Sequence, residues 1–105
     1  MVKIMLACSA GMSTSLLVSK MEKAAKEEGI EAKIWAISEV NLQNEIKNCD
    51  VLLLGPQVRY ILSKAKKMAE PYNIPTEVIS MMDYGKCDGQ AVLKRALELY
   101  SSKQN

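Results

Sequence analysis

Short apolar runs alternate along the chain with longer stretches in which apolar residues recur at helical spacing. The first run, Val2-Lys3-Ile4-Met5-Leu6-Ala7, ends at Cys8, and the small-residue stretch Ser9-Ala10-Gly11-Met12-Ser13 follows before a helical rhythm begins. That order reads as strand, loop and helix. The helix, predicted from about Ser13 to Glu28, stacks Leu17, Met21, Ala24 and Ala25 on one stripe and keeps Lys20, Lys23 and Lys26 outside it, with Gly29 as its stop. Residues 31–37 read as a second strand with the mixed polarity of a sheet edge, and Ser38 is placed to cap a short helix carrying Val40, Leu42 and Ile46. Val51-Leu52-Leu53-Leu54, stopped by Gly55-Pro56, is an uninterrupted apolar run, as expected of a strand covered on both faces. The clearest helical periodicity comes next, in Val58, Ile61, Leu62, Ala65, Met68 and Ala69, until Pro71 stops it. Residues 75–79 give a fourth strand and residues 80–85 a loop. A last helix capped by Asp88 then buries Val92, Leu93, Ala96, Leu97 and Tyr100.

Four strands alternating with helices define an α/β chain with a parallel sheet, right-handed crossovers and helices on both faces, a three-layer sandwich. The first and third strands are the most apolar and belong in the middle, which gives the order 2-1-3-4. In that order the chain winds one way from strand 1 to strand 2 and the other way to strand 3. The crevice at this switch opens at the C-terminal ends of strands 1 and 3, where Cys8 and the Gly55-Pro56-Gln57 turn lie.

Composition narrows the function. A chain of 105 residues that is 49% hydrophobic and 25% charged is expected to fold as one domain over residues 1–105, with a core that needs no metal, cofactor or disulfide to hold it. Its 14 Lys and Arg against 12 Asp and Glu, interleaved along the helices, argue against a nucleic-acid partner. Neither a secretory leader nor an apolar stretch of the roughly 20 residues a membrane helix needs is apparent, so the expected location is cytoplasmic. The three cysteines, Cys8, Cys49 and Cys87, include no C-x-x-C pair, which argues against a disulfide framework or a zinc cluster. The most exclusive number is zero histidines. It removes every Ser-His or Cys-His catalytic pair and the commonest metal ligand.

Cys8 stands directly after a strand, before a glycine-containing loop and just ahead of a helix N-terminus. The first turn of a helix carries unpaired N–H donors and a partial positive charge, which suit an anion and favour thiolate over thiol in a nearby cysteine. Gly11 permits the dihedrals of a cradling turn, and Ser13, Thr14 and Ser15 add hydroxyls that cap the helix or face an anion. Ser9, Ala10, Gly11, Met12, Ser13, Thr14 and Ser15 are therefore the expected phosphate-binding loop around a nucleophilic Cys8. Cys49, before a central strand, and Cys87, in a loop, read as structural.

The stretch Cys8-Ser9-Ala10-Gly11-Met12-Ser13-Thr14-Ser15-Leu16-Leu17 resembles the phosphorylation loop of the IIB components of bacterial sugar phosphotransferase systems, of the lactose/cellobiose type. Val51-Leu52-Leu53-Leu54-Gly55-Pro56-Gln57 and Tyr84-Gly85-Lys86-Cys87-Asp88-Gly89 resemble that family's third-strand turn and the loop before its last helix. The resemblance implies a transferase without a cofactor. Its cysteine, by position Cys8, accepts a phosphoryl group from a phosphohistidine on the IIA component and passes it to a sugar held by the membrane-embedded IIC component. The chain would then visit the inner face of the membrane transiently. The sugars of the family are β-linked, such as cellobiose, lactose and diacetylchitobiose, and the sequence does not choose among them. The missing imidazole would be the partner's.

A competing enzyme class, the low-molecular-weight tyrosine phosphatases and related arsenate reductases, shares the strand-cysteine-loop-helix layout but carries C-x5-R. Here that position is Thr14, and the two arginines, Arg59 and Arg95, belong to later helices. Without the guanidinium fork the loop lacks the bidentate clamp a hydrolase uses on phosphate. A flavodoxin-like binding module is disfavoured because neither G-x-G-x-x-G nor G-x-x-x-x-G-K-[ST] occurs. Gln57, neutral and on the neighbouring turn, and Tyr84 are the expected supporting residues, whereas Asp83 reads as a solvated turn residue whose charge would repel a phosphothiol. Met12, Met81 and Met82 fall in loops at the Cys8 end, where exposure would make them an adaptable apolar rim for two partners.

Overall fold

The computed structural model describes residues 1–9 and 14–103. Four parallel strands, β1 (Val2–Cys8), β2 (Ala32–Ser38), β3 (Val51–Leu54) and β4 (Thr76–Val78), lie in the order β2-β1-β3-β4, as the apolarity of the first and third runs predicts. Every residue of β3 is buried, and β1 is buried except at Lys3. Because successive side chains of a strand point to opposite faces, these two strands feed two cores. Ile4, Leu6, Val51 and Leu53 pack under α1 (Thr14–Glu27) and α5 (Gly89–Lys103). Met5, Ala7, Leu52 and Leu54 pack under α2 (Leu42–Glu45) and α3 (Leu62–Ala69). Each fully buried Leu or Met of these layers contributes about 1.5–3 kcal/mol.

The termini of α1 and α5 follow the sequence signals. Gly29 adopts φ 68° just past α1, and the Ile30 amide bonds back to the Ala25 carbonyl at 2.8 Å, closing the helix in the left-handed turn that glycine tolerates without strain. The Asp88 carboxylate accepts the Ala91 amide at 3.0 Å and caps α5. At its first residue α5 crosses α1 so closely that a Cβ on Gly89 would stand 2.4 Å from the Lys20 carbonyl carbon and 2.6 Å from the Met21 nitrogen.

Three expectations are corrected. The stretch expected to be a loop contains a one-turn helix, α4 (Met81–Gly85), because the Ser80 hydroxyl accepts the Asp83 amide at 3.0 Å and starts it. The helix expected from Val58 onward begins instead as a 3₁₀ segment, Pro56–Ile61, with Val58 at φ −116°, and becomes α3 only at Leu62. Proline at its first position and the Val58 amide bonding to the Gly55 carbonyl at 3.0 Å set that tighter winding. Val40 does not join Leu42 and Ile46 in the core. A 3₁₀ turn over Glu39–Asn41, capped by Ser38, turns it outward, and it is 76% exposed.

Candidate functional site

Cys8 is the last residue of β1, paired with Ser38 on one side and flanked by Gly55 on the other, and its side chain is buried. The Gly55 amide donates to the Ala7 carbonyl at 2.8 Å, which carries the β1–β3 ladder past the end of β3 and brings the turn alongside the thiol. A Cβ there would lie 3.3 Å from the Cys8 Cβ and 2.9 Å from the Gln57 Oε1, so the Gly55 backbone passes close against Cys8 and a side chain would displace the Gln57 carboxamide. The Gln57 carboxamide, on an otherwise exposed residue, thus folds back over the Gly55 backbone.

Across the crevice, α1 begins at Thr14, and the amides of its first turn have no partner within the helix. Ser9 is half-buried and Ser15 exposed. Ala10, Gly11, Met12 and Ser13, the centre of the expected loop, lie outside the described residues. Thr14 is a buried polar residue, 2% exposed, and its hydroxyl lies 3.1 Å from the Tyr84 hydroxyl. Tyr84 therefore lies against the first residue of α1.

Charges near the crevice are few. The Asp83 amide is used by the Ser80 cap, and its residue is half-buried rather than fully solvated. Arg95 is held in α5 by Glu77 at 2.7 Å and Glu98 at 3.3 Å. Arg59 lies in the 3₁₀ segment after β3, closer to the Cys8 end than a place in a later helix suggests, and its guanidinium donates to the Pro56 carbonyl at 3.5 Å. Cys49 is buried with its thiol donating to the Ile46 carbonyl at 3.3 Å, and Cys87 sits at φ 52° in the turn before α5.

Exposed apolar side chains collect at this end. Leu16 of α1, Val40 after β2, Tyr60 after β3, and Met81 and Met82 after β4 all emerge from segments that follow strand C-termini or begin α1. The expected rim thus includes Met81 and Met82, at 71% and 67% exposure, while Met12 lies outside the described residues. Among the described residues no helix is long and apolar enough to cross a membrane.

A doubly wound α/β protein with a cysteine at its topological switch point is the class these features define. Residues 3–95 match the family described as "PTS system, Lactose/Cellobiose specific IIB subunit", and the chain belongs to that family. It is 48% identical over 99 residues to the oligo-beta-mannoside-specific EIIB component of Bacillus subtilis (strain 168), covering 94% of this chain and 96% of the relative. It is 48% identical over 101 residues to the galactose-specific EIIB component of Lactococcus lactis subsp. cremoris, covering 91% and 94%. The solution structure of a cellobiose-specific IIB component from Borrelia burgdorferi superposes with a TM-score of 0.80 at 41% identity, covering 97% of this chain and 94% of that one.

Proposed function

We propose that this chain, acting as one domain over residues 1–105, is the phosphoryl carrier of a sugar phosphotransferase system, with Cys8 as the residue that bears the phosphoryl group. The observation that carries this reading is the position of Cys8 at the switch-point end of β1, a short stretch before the first turn of α1, whose amides have no acceptor within the helix. In the first half-reaction the Cys8 sulfur attacks phosphorus, the S–P bond forms and the P–N bond to the donor histidine breaks. The departing imidazole takes up a proton as the thiol loses one. In the second, a sugar hydroxyl oxygen attacks the same phosphorus, the S–P bond breaks, and the hydroxyl proton leaves as the thiolate is released. The amides of α1 and the flanking loop neutralise charge in both directions, so neither step needs a metal or a cofactor.

The donor is a phosphohistidine-bearing IIA component and the acceptor a sugar held by a membrane-embedded IIC component, which places this cytoplasmic chain transiently at the membrane surface. The sugar is of the β-linked class, cellobiose, lactose and diacetylchitobiose being examples. Relatives named for oligo-beta-mannoside and galactose are equally similar to this chain, so identity favours no particular sugar. The phosphatase reading is not favoured. Position 14, where that class carries its arginine, holds a threonine that is buried and committed to Tyr84.

Intact-mass measurement after mixing with a phosphorylated IIA component tests the assignment. One phosphoryl group is expected on wild type, Cys49→Ser and Cys87→Ser, and none on Cys8→Ser, with no turnover of p-nitrophenyl phosphate by any of them. Phosphate retained on Cys8→Ser, or steady hydrolysis abolished by that substitution, overturns the reading.

A further inference from the structure

We propose that Tyr84 is a positioning residue for phosphoryl transfer, acting through Thr14 to fix the N-terminus of α1 against the Cys8 crevice; the inference rests on the carrier reading above. The Thr14 and Tyr84 hydroxyls meet at 3.1 Å in a buried environment, joining residues 70 apart in sequence. The Tyr84 ring itself belongs to the core beside Leu17, Met21 and Val92. Apolar packing seats the middle of α1 through Leu17, Met21, Ala24 and Ala25, and the Gly89 crossing seats it near Lys20. Such contacts are non-directional. The hydroxyl pair adds a directional constraint, because its strength depends on distance and angle. It acts at Thr14, the residue that opens α1.

Ser80 and Asp83 line an open groove of about 280 Å³ together with Val78, Val92 and Arg95. α4 is instead anchored at its ends, by the Ser80 hydroxyl on the Asp83 amide and by the Asp88 amide on the Asp83 carbonyl at 2.9 Å. Tyr84 is thus presented by a short, doubly tied helix, which is what a fixed reference point for α1 requires.

The test is a double-mutant cycle of transfer rates, read by rapid quench from phosphorylated IIA to Tyr84→Phe, Thr14→Val and the double variant. Each single variant is expected to lower the rate at saturating donor about 3- to 10-fold, the range one buried hydrogen bond supports. The donor concentration giving half-maximal rate stays unchanged. The double variant loses less than the product of the two single losses, and Thr14→Ser, which keeps the hydroxyl, recovers most of what Thr14→Val loses. Tyr84→Phe removes one oxygen and leaves the ring; should it melt below the assay temperature, Thr14→Val carries the test. A wild-type rate in the folded single variants, or losses that multiply in the double variant, overturns the positioning role while leaving the carrier reading intact. Failure of the wild-type chain to accept phosphate on Cys8 overturns the carrier reading, and this proposal with it.

Discussion

Gly89→Ala is expected to be among the most damaging single-methyl additions available in this protein. An ideal Cβ at that position lies 2.4 Å from the Lys20 carbonyl carbon, 2.6 Å from the Lys20 Cβ and 2.6 Å from the Met21 nitrogen, where ordinary contact begins at 3.4 Å. Two of the three atoms are backbone, so no rotamer change relieves the overlap, and α1 and α5 must separate by about 1 Å. That separation opens the layer in which Leu17 and Met21 face Val92, Leu93 and Ala96. Overpacking of this kind costs about 1–3 kcal/mol, and rigid backbone places the case at the upper end. The helix preference of Ala over Gly, about 1 kcal/mol in a helix interior and less in a first turn, offsets only part. A net loss of about 2 kcal/mol follows, or a fall in Tm of about 10 °C for a domain of this size. Urea unfolding followed by far-UV circular dichroism reads it as a lowered midpoint at unchanged slope. Gly85→Ala is the control, since a Cβ there meets nothing within 4 Å and φ is not positive. A Gly89→Ala stability within about 0.5 kcal/mol of wild type, or an equal loss in Gly85→Ala, refutes the reasoning, because surface changes without such overlap stay within that margin.

The Arg95 guanidinium hydrogen-bonds Glu77 and holds its carboxyl below the usual range, so the pair stabilises the fold above the unfolded carboxylate pKa of about 4.3 and the contribution is lost as pH falls through the lower folded value. With both side chains substantially exposed it is worth no more than about 1 kcal/mol; Arg95→Met should lower the urea midpoint at pH 7 and close on wild type at low pH, and a gap that persists at pH 2 contradicts the assignment. Replacing Met81 and Met82 together by Asp should leave the melting temperature within about 2 °C, since both are exposed, while weakening donor binding about tenfold or more as charge enters an apolar contact. An NMR titration with IIA checks it, and unchanged affinity removes these two residues from the rim.

Strand order was legible because burial on both faces leaves a plain mark. Val51-Leu52-Leu53-Leu54 contains no polar residue, and only a central strand needs that composition. The position of Cys8 followed from the order alone. α4 was missed although Ser80-Met81-Met82-Asp83 carries the S-x-x-D cap signal, because a single turn shows no helical period to support it. Val40 misled for the opposite reason. It satisfies an approximate apolar spacing, yet Leu42 and Ile46 alone are separated by four residues, and the 3₁₀ turn rotates Val40 off their stripe. Tyr84 could be assigned to the site from its motif, but its partner Thr14 could not, since a contact across 70 residues leaves no local trace.

The same separation sets an order of events during synthesis. Tyr84 follows Thr14 by 70 positions, an interval of about 4–14 s at translation rates of roughly 5–20 residues per second. β1 meanwhile has both neighbours to find, β2 on one side and β3 on the other. A nascent chain therefore exposes its thiol long before α4 exists to steady the helix that follows it. Assembly from segments 70 positions apart withholds a finished crevice until α4 has left the ribosome.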